Sequence, residues 1–279
     1  GELGATWSRW GEHLIPIGTL YDPFVSRALE PWSFGVYAGG QSILIGTPSG
    51  VTLAPEGGAH QSISTPSIGL EQPGVVYWEP AFARDFEWAL LDTIRTMGQP
   101  GGKSTYFRLS TRPLDQSLAR VPSDPALRQR RRAHALAGGY RLNDHPAVED
   151  QVTLVGVGAI MPEVLAASAA LADQGIKAGV ICVTSPDQLF HSMQSRVDVH
   201  GDSDGILDAL FPPRSPAPLV TVIDGHPHTL AFLSGIRGDR AAHLGVTHFG
   251  QSSSLEDAYR LHQIDEPSIV GAALTLLGK

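Results

Sequence analysis

GTPSGVTLAPEGGAHQSISTPS, residues 46–67, follows the apolar run SILIG and opens onto glycine, proline and small polar residues. It carries one carboxylate, Glu56, and one imidazole, His60. A surface turn rarely needs so many special backbone residues in succession. Such a loop after a strand-like run points to an α/β fold in which the loop approaches something closely. Glycines at 57 and 58 let the backbone come near, as side chains would not. His60 places a group able to donate or take a proton near neutral pH beside that approach.

Around the loop, short apolar runs alternate with helical patterns. LIPIG (14–18), SILIGT (42–47), GVVYWE (74–79) and STYFRLS (104–110) read as strands. DPFVSRALEPWSFGVYAG reads as a helix, with Asp22 as N-cap, Pro23 at the first helical position and Pro31 kinking or dividing it. AFARDFEWALLDTIRTMG has apolar residues at 82, 86, 90, 91, 94 and 97 and ends at Gly98, close to the helical period. Residues 113–150 differ. Arg128, Arg130, Arg131 and Arg132 crowd together among prolines with few large apolar residues, so a solvated linker is expected there.

A second block restarts the alternation. QVTLVGVGA (151–159), KAGVICVTS (177–185), PLVTVIDG (218–225) and HLGVTHFG (243–250) read as strands. MPEVLAASAALADQG, LEDAYRLH and PSIVGAALTLLG read as helices. Strands alternating with helices imply mostly parallel sheets flanked by helices.

The bulk properties narrow the function. The chain has 279 residues, 42% hydrophobic and 17% charged, enough for two packed domains. A net charge of −8 argues against nucleic acid or an anionic membrane surface as partner. No run reaches the roughly 18 apolar residues of a membrane span, and no signal pattern opens the sequence, so a cytoplasmic protein is expected. The single cysteine, Cys182, lies in an apolar strand and reads as a buried structural thiol.

Familiar motifs are weak. VGVGAIM follows a strand, but the third glycine of a dinucleotide turn is replaced by Met161 and the next strand ends without an acidic residue. No GxSxG occurs. DGHPH (224–228) offers two histidines beside Asp224, which reads as a capping or interface element rather than a metal site. Tyr21 and Phe24 stand three apart at a helix start and can present one aromatic face.

Taken together, GTLYDPFV (18–25), GTPSGVTLAPEGGAHQS (46–62), YWEPAFA (77–83), YFRLST (106–111) and HFGQSSSLEDAYRLHQID (248–265) resemble the transketolase-like family of thiamine-diphosphate enzymes. Within it, the chain looks most like the decarboxylating component of 2-oxo acid dehydrogenases, of the homodimeric pyruvate type. The resemblance covers nearly the whole chain except the linker. It implies a partial pyrimidine-binding α/β domain over 1–112, a linker over 113–150, and a transketolase C-terminal-like α/β domain over 151–279.

It also implies roles. Tyr21 and Phe24 match aromatic positions that pack on the cofactor's aminopyrimidine ring, and Glu56 and Gly57 belong to the same cofactor-facing loop. His60 matches a histidine that reaches the substrate. The family needs a glutamate at the aminopyrimidine ring. Glu2 is one candidate, because a similar ELGA follows that glutamate in some relatives. Yet Glu2 precedes Tyr21 by less than the family spacing, and a second alignment, on GxLG, puts the glutamate several residues before Gly1.

The family's GDG and following asparagine, which hold Mg2+ and diphosphate, do not occur here, so no metal ligand is expected in this chain. The resemblance therefore implies several partners: a second copy of the subunit in a two-fold dimer, a missing N-terminal diphosphate-binding domain, and an acyltransferase component with lipoyl domains. It also implies that this piece alone does not turn over. Two other readings stand beside it. One is a ketol transferase, for which only His60, Arg27 and Arg84 are obvious anion contacts. The other is a non-catalytic assembly or regulatory module of the same fold.

Overall fold

The computed structural model describes residues 1–143, 145–197 and 205–279, and among them the strands form two sheets. The first contains β1 (Ile17–Leu20), β2 (Ile43–Gly46), β3 (Val75–Trp78) and β4 (Ser104–Arg108), in the order β1-β2-β4-β3, every pair parallel. Its helices are α1 (Thr6–Arg9), α2 (Val25–Tyr37), α3 (Thr65–Glu71) and α4 (Ala83–Thr96).

Strand alternation decides what each face holds. Leu44, Val75, Tyr77 and Tyr106 point one way and pack with Trp32, Val36 and Ile68 of α2 and α3. Ile43, Trp78 and Phe107 point the other way and pack with Phe86, Ala89 and Leu90 of α4.

The second unit adds α5 (Pro125–Leu136), β5 (Gly139–Arg141), β6 (Val152–Val157), α6 (Met161–Asp173), β7 (Ala178–Val183), α7 (Pro186–Ser195), α8 (Ile206–Leu210), β8 (Leu219–Ile223), α9 (His228–Ala231), β9 (Ala241–Leu244), α10 (Leu255–Leu261) and α11 (Glu266–Leu277). Its sheet order is β5-β7-β6-β8-β9, parallel throughout except that β5 runs antiparallel to β7. Val152, Leu154, Val180, Cys182, Val220 and Val222 face α6 and α11. Val155, Val157, Ile181, Val183 and Ile223 face α7 and α8. The expected α/β architecture is present, with a parallel sheet and a mixed sheet flanked by helices.

Four local expectations change. The arginine-rich stretch at 113–150 is not a bare linker. It holds α5, started by Asp124, whose carboxylate accepts from Leu127 N–H, and the edge strand β5. Arginine stems can lie along apolar surface while their heads stay wet, and the Arg131 guanidinium stacks 4.1 Å from the centre of the buried Tyr140 ring. Pro31 does not divide α2, which runs on through it. That proline is solvent-exposed, where water can take the carbonyl it leaves unbonded.

Asp22 does not cap α2. It begins a short 3-10 turn, Asp22–Phe24, and its carboxylate turns inward. The strand expected at 243–250 lies earlier, at β9. Apart from these four, β1 is an edge strand whose first three residues are exposed.

Candidate functional site

In a parallel sheet all carboxyl ends point one way, and the segments leaving them converge. Here these are the Tyr21–Phe24 turn after β1, the 46–67 loop after β2, and Glu79 after β3, with Arg108 closing β4. The Tyr21 ring stacks on His60, with centroids 5.8 Å apart and planes at 22°. Phe24 meets Tyr21 edge-on at 5.4 Å and lies 6.3 Å from His60. The Arg27 guanidinium sits 5.0 Å from the centre of the Phe24 ring. Partial burial raises the Tyr21 phenol above its ordinary pKa, and the Glu56 carboxylate raises it further. The Tyr21 hydroxyl is itself buried and has no hydrogen-bond partner among the described residues. Tyr21, Phe24, Glu56 and His60 are thus gathered in one place.

Glu2 is not among them. It forms an exposed ion pair with Arg9 at 2.9 Å. Its neighbour Gly4 accepts a backbone bond from Gln41, just before β2 begins. That puts Glu2 at the amino ends of the strands, opposite the aromatic turn.

Beneath the aromatic turn lies a buried polar network. The Asp22 carboxylate accepts from Thr65 Oγ1 (2.7 Å), Arg108 Nε (3.1 Å), the Tyr106 hydroxyl and the Ser62 hydroxyl. Arg108 also donates to Glu79 at 2.6 Å, and Glu79 accepts from the Tyr77 hydroxyl. Burial pushes the Glu79 carboxyl up to about 7, against the pull of Arg108 and the Tyr77 hydrogen bond. Removing Asp22 would take from the buried Arg108 an ion-pair partner, a loss that typically costs about 3–5 kcal/mol. The sequence contained one sign of this network: an arginine inside the apolar strand STYFRLS, a residue almost never buried unless paired.

The second unit grips the loop from the other side. Asp224, just after β8, accepts from Val51 N–H at 2.8 Å, Thr52 N–H at 3.0 Å and the Thr52 hydroxyl. Ser253 N–H donates to Ala54 O at 3.2 Å, and Gln61 Nε2 donates to Gln251 O at 3.3 Å. His226 N–H donates to Ile63 O at 2.9 Å.

Gly57 has φ +77°, and a Cβ there would lie 2.9 Å from Ser252 N. One on Gly58 would lie 2.8 Å from Gly250 O. The close approach these glycines permit is therefore to residues 250–252 of the same chain. His226 and His228 of DGHPH meet through their Nδ1 atoms at 2.7 Å, and His228 Nε2 lies 3.2 Å from Ser67 Oγ, so the motif sits where the two units touch.

A family model, the transketolase-like TK C-terminal domain, matches residues 138–265. Most of the second unit thus resembles a transketolase-like C-terminal domain. This transketolase-like likeness reaches beyond the second unit. The pyruvate dehydrogenase E1 component of Escherichia coli K12 is 25% identical over 283 residues, covering 95% of this chain and 30% of the relative. The corresponding Buchnera aphidicola protein is 26% identical over 281 residues, with the same coverage. The chain thus spans about 30% of the length of the curated relatives it matches.

Among solved structures, transketolase from Leishmania mexicana superposes with a TM-score of 0.75 at 17% identity, covering 95% of this chain and 34% of that one. A split-gene transketolase, an inactive beta4 tetramer, gives 0.63 at 17% identity, covering 99% of this chain and 80% of that one. At these identities the structures speak for the fold. With the family match on its second unit, the chain fits the C-terminal part of the transketolase-like family. Among the described residues, no helix is long and apolar enough to cross a membrane.

Proposed function

We propose that this chain is the C-terminal part of a thiamine-diphosphate-dependent 2-oxo acid dehydrogenase decarboxylating component, of the pyruvate type. It would supply the aminopyrimidine side of an active site shared between subunits of a cytoplasmic oxidoreductase. The observation that carries this reading is the gathering of Tyr21, Phe24 and His60 at the carboxyl ends of a parallel sheet. The likeness to pyruvate dehydrogenase E1 over 95% of the chain supports it.

The residues fit the cofactor's ring in part. Phe24 is 38% exposed, and with Tyr21, whose buried hydroxyl has no partner among the described residues, it offers an aromatic face. The activating glutamate is not supplied by Glu2, which stands at the far end of the sheet. When bound, thiamine diphosphate supplies an electron sink for the loss of CO2.

The chain's own residues then have simple tasks. Tyr21 and Phe24 stack and exclude water on one side. Glu56 and Gly57 shape the wall, and the exposed His60 donates or takes a proton at the substrate's carbonyl. Mg2+ and diphosphate belong to a domain outside this sequence. A second copy of the subunit and an acyltransferase component with lipoyl domains are the partners this reading requires. Alone, the piece would not turn over.

The test is CO2 release from pyruvate by the assembly that includes the diphosphate-binding domain, with thiamine diphosphate and Mg2+ added. The expected result is release that falls in His60→Ala while thiamine diphosphate affinity holds. Transfer of a two-carbon ketol unit between sugar phosphates, without CO2, would favour the transferase reading instead. Arg27 beside Phe24 is the observation behind that alternative. A cofactor-free assembly with neither activity would leave the non-catalytic module.

A further inference from the structure

The loop carrying His60 belongs to the first unit, yet much of what fixes it comes from the second. Asp224 is 2% exposed and collects two backbone N–H groups and one hydroxyl, all from Val51 and Thr52. Gly50, at φ +69°, leaves the space its carboxylate fills, since a Cβ there would lie 2.2 Å from Asp224 Oδ2. The Thr52 hydroxyl is shared with Tyr259 at 2.6 Å. Tyr259 in turn receives Arg112 at 3.3 Å, and Glu163 holds Arg112 through both oxygens at 2.8 Å. A buried carboxylate persists where donors of this kind converge on it, and those donors lose most when it goes. Downstream, the next buried carboxylate holding the loop is Asp22, at Ser62 and Thr65. The stretch between these two carboxylates contains His60.

The geometry points to Asp224 as a positioning residue: the second unit seats the His60 loop and so sets His60 against Tyr21 and Phe24. The seating of the loop stands independently of the reaction. Only its effect on turnover rests on the function proposed above.

The experiment uses Asp224→Asn and Thr52→Val in the full chain, with amide hydrogen exchange and NMR of the His60 ring protons. Loss of an acceptor at a charged group corresponds to about a tenfold rise in exchange at Val51 and Thr52. The His60 ring protons should move away from the position set by stacking on Tyr21. Val220 and Val222 of β8 should keep their protection.

Thr52→Val leaves the backbone bonds to Asp224 in place and should give a smaller shift in the same direction, restored by Thr52→Ser. It decides the matter alone if Asp224→Asn does not fold. Unchanged exchange and unchanged His60 resonances would overturn the proposal, as would equal loss of protection throughout β8. In the assembled enzyme, Asp224→Asn should lower kcat while thiamine diphosphate affinity holds. A His60 shift with no change in turnover would refute the functional reading of His60 and leave the seating intact.

Discussion

Glu79→Gln is the substitution whose effect can be worked most directly from the structure. Glu79 is 3% exposed, bonded to Arg108 and Tyr77, and burial carries its carboxyl from 4.5 to about 7. Between those two pH values the folded chain holds a proton on Glu79 that the unfolded chain has released. Folding stability from this group therefore falls as pH rises from 4.5 to about 7 and is level above that. The full loss is on the order of 3 kcal/mol.

Glutamine keeps the shape and stays neutral, so the variant lacks this slope. Its carboxamide oxygen still accepts from Arg108, and its NH2 can donate to Tyr77. Asp85, also pushed up by burial to about 6, gives a slope of the same sign, but both proteins share it and it cancels in the difference. Urea unfolding at about pH 5 and about pH 8 measures the quantity. The variant's stability relative to the parent should rise by about 2–3 kcal/mol from the lower pH to the higher. An offset that is the same at both pH values would refute the assignment of a proton to Glu79.

Gly57→Ala places a side chain at φ +77° against the backbone of Ser252, and should cost at least about 1 kcal/mol in thermal or urea unfolding. Tyr21→Ala and Phe24→Ala should each weaken thiamine diphosphate binding to the full assembly by roughly 3- to 10-fold in calorimetry; unchanged affinity in both would make the pair plain packing. Glu2→Gln, at the far end of the sheet, should leave CO2 release and thiamine diphosphate affinity where they were, and a large loss of either would restore Glu2 to the site.

Most strands were legible because buried parallel strands are short unbroken apolar runs, and SILIG, GVVYWE, QVTLVGV and GVICV are such runs. The α5 and β5 elements were hidden by composition. Charge reads as solvation until an aromatic partner such as Tyr140 is seen under the arginine. Asp22 carried the sequence signature of a helix cap, and nothing local to it announces Thr65, Tyr106 and Arg108 as its partners.

The aromatic pair and His60 could be named from the resemblance, but their stacking follows from strand order, which the sequence does not spell out. Glycines 57 and 58 did mark a close approach. What they approach lies nearly two hundred residues downstream. Asp224 was visible only as a neighbour of two histidines, because two of its three donors, at Val51 and Thr52, are backbone N–H groups that leave no trace in residue type.

The bonds between Thr52 and Asp224 join positions 172 residues apart. Contacts this distant carry a larger loop-closure cost than those within one sheet. During folding the first sheet can assemble from its own strands, and the aromatic turn with it. The stretch between Val51 and His60 is held in this shape by Asp224, and so depends on β8 being in place to present it. The geometry of the candidate site therefore reports on whether the second unit has folded.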